Sequence, residues 1–396
     1  MSKLAINGGP KVRNAPFPTW PIWDETDCQA LVDVCNSGQW WSLGGTRVKE
    51  FAEKFAAYQG CKWGICVPNG TIALVVALEA AGVKAGDEVI VTPYTFIASA
   101  SSICQIGAKP IFVDIDPDTC NIDPSMIEEA ITDKTRAIMA VHIGGLPVNM
   151  DELMPIARKH NLRVIEDCAQ AHAAKWRGQG VGSFGDAGAF SFQASKNLTA
   201  GEGGIVVTNN EEVAALAWSI HNVGRVPSGQ WYEHPVMGCN YRMTEFQGAI
   251  LLNQMRKLDA ETARRNENAL YLARRLGRLD GVKPLARDER VTTHAYHLFI
   301  MRYTAWESNN VGKTDFIRAL NAEGIPCGSG YLPLYRSGML AQDYDGLHLP
   351  NAERVSEHEV VWMVQNLLLG DREDMDDVAN AVEKVLQNIS ELATGG

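Results

Sequence analysis

The chain has 396 residues, 46% of them hydrophobic and 21% charged, an ordinary globular composition long enough for two or three domains. The 36 Lys and Arg against 47 Asp and Glu leave a formal net charge of −11 with no basic block, which argues against nucleic-acid backbone binding as the main task. No apolar run approaches the roughly 20 residues that span a bilayer, and "MSKLAINGGPKVR" lacks the apolar core of a secretory leader, so a soluble cytoplasmic protein is expected.

Residues 1 to about 45 are rich in Pro, Trp and Gly ("APFPTWPIWDETD", "SGQWWSLGG"). Tryptophans are costly to expose, so this arm is expected to pack on its own body or on a partner chain. "WGICV" reads as a strand and "NGTIALVVALEAAG" as a helix opened by a turn. "EVIVTP", "KPIFVDI", "RAIMAVH" and "RVIEDC" are short, β-branched, nearly continuous apolar runs, the pattern of strands buried on both faces. Helical segments between them, over 96–106, 124–131 and 151–160, make this βαβ repetition and hence a mostly parallel sheet. "AGAFSF" and "GGIVVTN" add two strands joined by a polar link. One long helix is expected over 245–276, leaving one domain and entering another. Beyond it "AYHLFIMRY" reads as a strand, "KTDFIRALNAEG" as a helix and "DMDDVANAVEKVLQNI" as a C-terminal helix. The division expected is 1–255 for arm and large domain, and 256–396 for linking helix and small domain.

In open α/β sheets ligands bind at the carboxyl ends of strands, and four features fall there. "PNGT" places Gly70 and Thr71 where a strand turns into a helix; the free N–H groups and the Thr hydroxyl suit a phosphate, although a plain helix cap has the same pattern. Phe96 follows the next strand, placed to stack on a flat ligand or to pack in the core. Glu166 and Asp167 end "VIED", where a carboxylate needs a cationic ring nitrogen, a structural ion pair or a cap. Lys196 follows "AGAFSF"; near a desolvating or cationic site such a lysine becomes a nucleophilic, Schiff-base-forming amine, whereas alone it reads as a surface charge. Together the four are the parts a pyridoxal phosphate site requires.

Other patterns weigh less. Gly180, Gly182 and Gly185 spell G-x-G-x-x-G, but a strand rather than a helix follows, so a nicotinamide oxidoreductase rests on a weak match. His294 and His297 fall in an expected strand on opposite faces, and no metal site is expected. The nine cysteines are scattered without C-x-x-C spacing, as free thiols in a reducing compartment would be.

The succession "NGT", "PYTFIAS", "VIEDCAQAH", "GSFGDAGAFSFQASKNLTAGEGG" and "GCNYRMTEFQGAI" resembles the DegT/DnrJ/EryC1/StrS aminotransferases over nearly the whole chain. The resemblance implies an α/β, fold-type I (aspartate aminotransferase-like) pyridoxal-phosphate-dependent transferase, with a large domain built on a mostly parallel seven-stranded sheet and a smaller C-terminal α/β domain. It implies that Lys196 forms the internal aldimine and shuttles a proton, and that Asp167 faces the pyridine nitrogen. Phe96 would stack on the ring, Gln170 would lie near the phenolic oxygen, and Gly70, Thr71 and Ser191 would hold the phosphate. The family is dimeric with sites at the subunit interface, so Asn240 would reach the phosphate of the partner chain. The activity implied is a ping-pong transfer of an amino group from glutamate or glutamine to a keto-sugar or keto-cyclitol. A lysine at 196 speaks against the dehydrating branch, which has histidine there. Tyr335 in "YLPLY" stands where many nucleotide-sugar members have histidine, and "SGQWW" and "SFQ" look more like the branch acting on aminocyclitols and 3-amino-5-hydroxybenzoate precursors. Trp40 and Tyr331 are candidate substrate-pocket residues, and Arg225 and Arg242 candidate cations for the donor carboxylate. The alternatives are a 3-amino-5-hydroxybenzoate-synthase-like enzyme and a non-catalytic pyridoxal-phosphate-binding regulator.

Overall fold

In the computed structural model, which describes residues 3–227, 229–338 and 340–393, the apolar runs lie side by side. In chain order the strands are β1 (Trp63–Val67), β2 (Glu88–Val91), β3 (Lys109–Phe112), β4 (Thr135–Val141), β5 (Arg163–Asp167), β6 (Lys175–Trp176), β7 (Gln179–Gly180), β8 (Ala187–Ser191) and β9 (Gly204–Thr208). Seven of them form one sheet in the order β1-β9-β8-β5-β4-β2-β3. The run from β8 to β3 is parallel throughout, and β9 alone runs antiparallel to both its neighbours. Every residue of β8 and β9 is buried, as strands covered on both faces must be. The helix Gly70–Ala80 is apolar nearly all round because it packs between the sheet and the helices Ala98–Gln105 and Glu211–His221.

The C-terminal part adds β10 (Val282–Pro284), β11 (Val291–Thr293), β12 (Leu298–Tyr303) and β13 (Val360–Val364). β10, β12 and β13 form an antiparallel sheet, while β11 joins β6 and β7 in a small ribbon. Helix Arg372–Gln387 buries Met375, Val378, Ala379, Val382 and Val385 at helical spacing, and Asp371 and Asp374 form a capping box at its start. The N-terminal arm begins in this second core: Leu4 is buried there, and Arg13 bridges Asp374 and Asp377 at 2.6 and 2.9 Å. No helix among the described residues is long and apolar enough to cross a membrane.

Three local expectations change. The helix over 245–276 is two helices, Glu245–Met255 and Leu258–Leu276. The break coincides with Lys257, whose amine reaches Asp24 and Asp27 at 3.0 and 3.1 Å. The segment over 124–131 is two single 3₁₀ turns, Pro124–Met126 and Glu128–Ala130, rather than an α-helix. His294 and His297 lie in the connection between β11 and β12, so strand alternation does not govern where they point.

The glycine run has a structural task. The amides of Gly182, Phe184 and Gly185 donate to the buried Glu166 carboxylate at 2.7, 2.8 and 2.8 Å. His142 Nδ1 accepts from the Val148 amide at 3.0 Å, so its Nε2 carries the proton and donates to Glu166 at 3.2 Å. A Cβ on Gly188 would approach Gly182 Cα to 2.4 Å, which keeps both positions bare. These amides are spent on Glu166 and cannot cradle a pyrophosphate, which removes the basis of the nicotinamide reading. Cys168 completes the one His/Cys/Glu cluster of metal-binding spacing among the described residues, but both imidazole nitrogens of His142 are already engaged. Glu166→Ala would strand three amides and an imidazole in the core. A loss of at least about 3 kcal/mol of unfolding free energy is expected in denaturant titration, and a loss under about 1 kcal/mol contradicts this account.

Candidate active site

The carboxyl ends of β1, β2, β4, β5 and β8 converge on a cavity of about 760 Å³. After β1, Asn69 Oδ1 accepts from the Ile72 amide at 2.9 Å and caps the helix, leaving the first helical amides, Gly70 and Thr71, at the cavity. A Cβ on Gly70 would sit 2.6 Å from Ser191 Cβ, so glycine is what lets the helix start meet the end of β8. The result is a concave corner of backbone amides and hydroxyls at a positive helix terminus.

Across the cavity lies the end of β5. Asp167 is 6% exposed and accepts from Ser99 Oγ at 2.8 Å and from the Ala169 amide at 3.1 Å. Burial pushes its carboxyl above the usual range, while Ser99, the Ala169 amide and Lys196 pull the other way. Gln170 is fixed at both ends: Oε1 accepts from the Gly144 amide at 2.6 Å, and Nε2 donates to Tyr331 Oη at 2.9 Å. Tyr331 stands edge-on to Trp362 at 4.7 Å and lies 6.4 Å from Phe96, whose ring is 55% exposed and forms one wall.

Lys196 sits on the loop after β8. That loop is tied down by Lys196 N to Gln193 O at 2.9 Å, by Asn197 Nδ2 to Ala295 O at 2.7 Å, and by the arm's Trp20 Nε1 to Ala194 O at 2.9 Å. The residue is half-buried and lines the cavity, and its amine has no hydrogen-bond or ion-pair partner among the described residues. Burial lowers its pKa to about 8, against the opposing pull of Asp167. An amine so placed supplies a nucleophilic fraction near neutral pH.

These residues fit pyridoxal phosphate on their own geometry. The Gly70–Ser191 corner is one that a single Cβ would fill, Asp167 is a buried carboxylate with two neutral donors, and a free amine stands in the same cavity. Thus Gly70, Thr71, Phe96, Asp167, Gln170, Ser191, Lys196 and Tyr331 come together.

The other candidates do not join them within one chain. Trp40 is 56% exposed, tilted on Phe246 and donating to Cys35 O at 3.3 Å. Arg225 lies over Trp231 at 4.2 Å, and Arg242 lies over Trp41 and donates to Asn222 Oδ1 at 2.9 Å. Asn240 is exposed and paired by backbone with Asn222. Trp41 and Trp231 meet edge-to-face at 6.3 Å, which makes this an exposed aromatic and cationic rim apart from the cavity. Tyr335 is buried, packs on Phe112 and donates to Glu353, so the change from histidine acts on packing rather than on the cavity wall. Ser99, bonded to Asp167, and Trp362 and His297, which line the cavity, join the site beyond the residues expected from sequence. Ser99 had a signal, one helical turn after Phe96 in "PYTFIAS", whereas Trp362 arrives through the pairing of β13 with β12, which no local pattern announces.

The lowered lysine pKa sets a stability prediction. Below about pH 8 Lys196 is charged in both folded and unfolded chains and its burial is opposed; above 10.5 it is neutral in both. Lys196→Met is therefore expected to stabilise the cofactor-free chain by about 1–3 kcal/mol at pH 7, with the gain fading as pH rises from about 8 to 10.5. Denaturant titrations across that range check it, and a pH-independent difference contradicts it.

A family model described as the DegT/DnrJ/EryC1/StrS aminotransferase family matches residues 21–383. A Micromonospora echinospora protein, named provisionally as an L-glutamine:3-amino-2,3-dideoxy-scyllo-inosose aminotransferase, is 41% identical over 98% of this chain and 98% of its own. The L-glutamine:2-deoxy-scyllo-inosose aminotransferase of Streptoalloteichus tenebrarius is 37% identical over 98% of this chain and 99% of its own. Among solved structures, 3-amino-5-hydroxybenzoic acid synthase superposes with a TM-score of 0.89 at 32% identity, covering 95% of this chain and 100% of its own. The chain is an aminotransferase, and it belongs to the DegT/DnrJ/EryC1/StrS family.

Proposed function

We propose that this aminotransferase uses pyridoxal 5′-phosphate to move the α-amino group of glutamine to a free keto-cyclitol of the deoxy-inosose type, in the cytoplasm. The observation that carries the reading is the unpartnered Lys196 amine in one cavity with buried Asp167 and the Gly70–Ser191 corner. The choice of donor and acceptor follows the names of the relatives that match end to end. When bound, the cofactor supplies an electron sink that stores the amino group between donor and ketone.

The protein's residues divide the remaining work. Asp167 accepts the ring N–H and keeps that nitrogen cationic; meeting a cation there restores the charged carboxylate that burial disfavours. Gly70, Thr71 and Ser191 hold the phosphate, and Phe96 covers the ring. Gln170, locked by Gly144 and Tyr331, lines the same cavity and would lie near the phenolic oxygen of the bound cofactor. Lys196 Nζ would hold the cofactor and, as a free amine, would take the proton from the donor's α-carbon and return a proton in the opposite half of the cycle. The exposed rim of Asn240, Arg225, Arg242 and Trp40 belongs to a homodimer interface, where Asn240 reaches the phosphate held by the other protomer and the arginines serve the donor carboxylate. The regulator alternative is not favoured, because the amine, the carboxylate and the anion corner are all present in one cavity.

Glutamine labelled at its α-nitrogen, supplied with a deoxy-inosose ketone, is expected to give a labelled aminocyclitol detected by mass spectrometry. Transfer only to nucleotide-linked keto-sugars would contradict the acceptor, and transfer only from glutamate would contradict the donor. Mixing a Lys196→Ala chain with an Asn240→Ala chain is expected to leave one of the two sites intact in each mixed dimer, hence about a quarter of all sites after random one-to-one pairing of closed two-fold dimers. Verified mixed dimers without activity would remove Asn240 from the shared site.

A further inference from the structure

His297 precedes β12, is 7% exposed and lines the cavity that holds Lys196. Its tautomer follows from its neighbour. Asn197 Nδ2 donates to Ala295 O at 2.7 Å, which turns Asn197 Oδ1 toward His297 Nδ1 at 3.2 Å. That oxygen can only accept, so the imidazole proton sits on Nδ1 and Nε2 keeps its lone pair. Burial, then Lys196, His172 and Arg265, hold the ring well below the usual histidine pKa, so it is neutral.

The lone pair has no donor among the described residues, and the neighbours explain why. His172 gives its Nε2 proton to Ser191 O at 2.8 Å, and burial lowers its pKa to about 3, so its other nitrogen is an acceptor as well. Arg265 is engaged by Gln365 and Glu261, and its remaining Nη1 meets no acceptor. Lys196, the residue next to Asn197 in the chain and itself without a partner, is the one lysine or arginine among the residues lining the cavity.

We propose that His297 is a positioning residue for Lys196: whenever the lysine carries its proton, Nε2 of His297 accepts one of the ammonium N–H groups and fixes the direction of the amine. This rests on Lys196 being the reacting amine. In the proposed function Asp167 faces the ring nitrogen, so a displaced, protonated lysine needs another acceptor in a cavity that otherwise penalises its charge. Asn197 ties the acceptor to the lysine's own loop, so the two are placed together.

Competitive acetylation of the full-length chain freed of cofactor, quantified on the Lys196 peptide across pH, reads the amine's pKa without turnover. The titratable groups that act on or feel that amine are Asp167 at the end of β5, His172 and His297, and Arg265 from the helix Leu258–Leu276 acts on the two imidazoles. His297→Phe is expected to lower the Lys196 pKa by about one unit, the size implied by one lost hydrogen bond to a cation. His297→Gln, which offers an acceptor oxygen, is expected to recover most of that shift. An unmoved pKa in His297→Phe, or a shift that His297→Gln fails to recover, overturns the proposal. Nitrogen NMR of the unmutated imidazole needs no variant to fold: a neutral ring protonated on Nδ1 is expected, and a charged ring or an Nε2–H tautomer overturns it. Capture of the cofactor on Lys196 is a separate measurement, so failure here leaves the aminotransferase reading standing.

Discussion

A carboxylate and an amine share one cavity, and burial pushes each toward its neutral form. Asp167 is held above the usual carboxyl range and Lys196 well below the usual lysine range. Such an arrangement is unfavourable for the empty chain and favourable for a ligand that brings a cation to the aspartate and a carbonyl to the lysine. The rest of the fold serves to keep the two groups in place without letting them relax. The parallel sheet delivers both at strand ends, and the Trp20, Gln193 and Ala295 contacts pin the lysine loop.

The two adjacent carboxylates of β5 show how closely environment decides role. Strand alternation sends Glu166 and Asp167 to opposite faces. Glu166 meets three amides and an imidazole and is fully satisfied, so it is architecture. Asp167 meets one hydroxyl and one amide, so it is left with acceptor capacity aimed at the cavity. The same dipeptide thus anchors the loop before β8 and furnishes the electrostatic end of the site.

Much of this was legible in the chain. Continuous apolar runs announced the strands, and a glycine, an aromatic, an aspartate and a lysine at four strand ends announced the cavity that gathers them. The features not legible locally depend on longer-range contacts. The break near Lys257 coincides with its ion pairs to Asp24 and Asp27, more than two hundred positions away. The G-x-G-x-x-G run serves Glu166, a partnership invisible in the sequence because amides leave no trace in side-chain patterns. Tyr335 points to the aminocyclitol-like branch, in line with the inosose aminotransferase relatives, yet its side chain packs in the core, because a motif position carries no statement of which way the side chain faces. Trp40, Asn240, Arg225 and Arg242 lie on a rim that a single chain leaves exposed or loosely covered, apart from the cavity.

The likeness to 3-amino-5-hydroxybenzoic acid synthase shows how far one architecture carries: it superposes over its whole length at 32% identity, while the end-to-end sequence relatives are named for inosose amination. In the function proposed above, acceptor choice would reside in details such as the Tyr331–Trp362 wall and the rim, and the common chemistry in Lys196. The most direct test of that centre is borohydride reduction of the purified chain with pyridoxal phosphate, followed by peptide mass mapping. The account predicts a single pyridoxyl adduct on Lys196; an unmodified Lys196, or an adduct carried by another lysine, would contradict it.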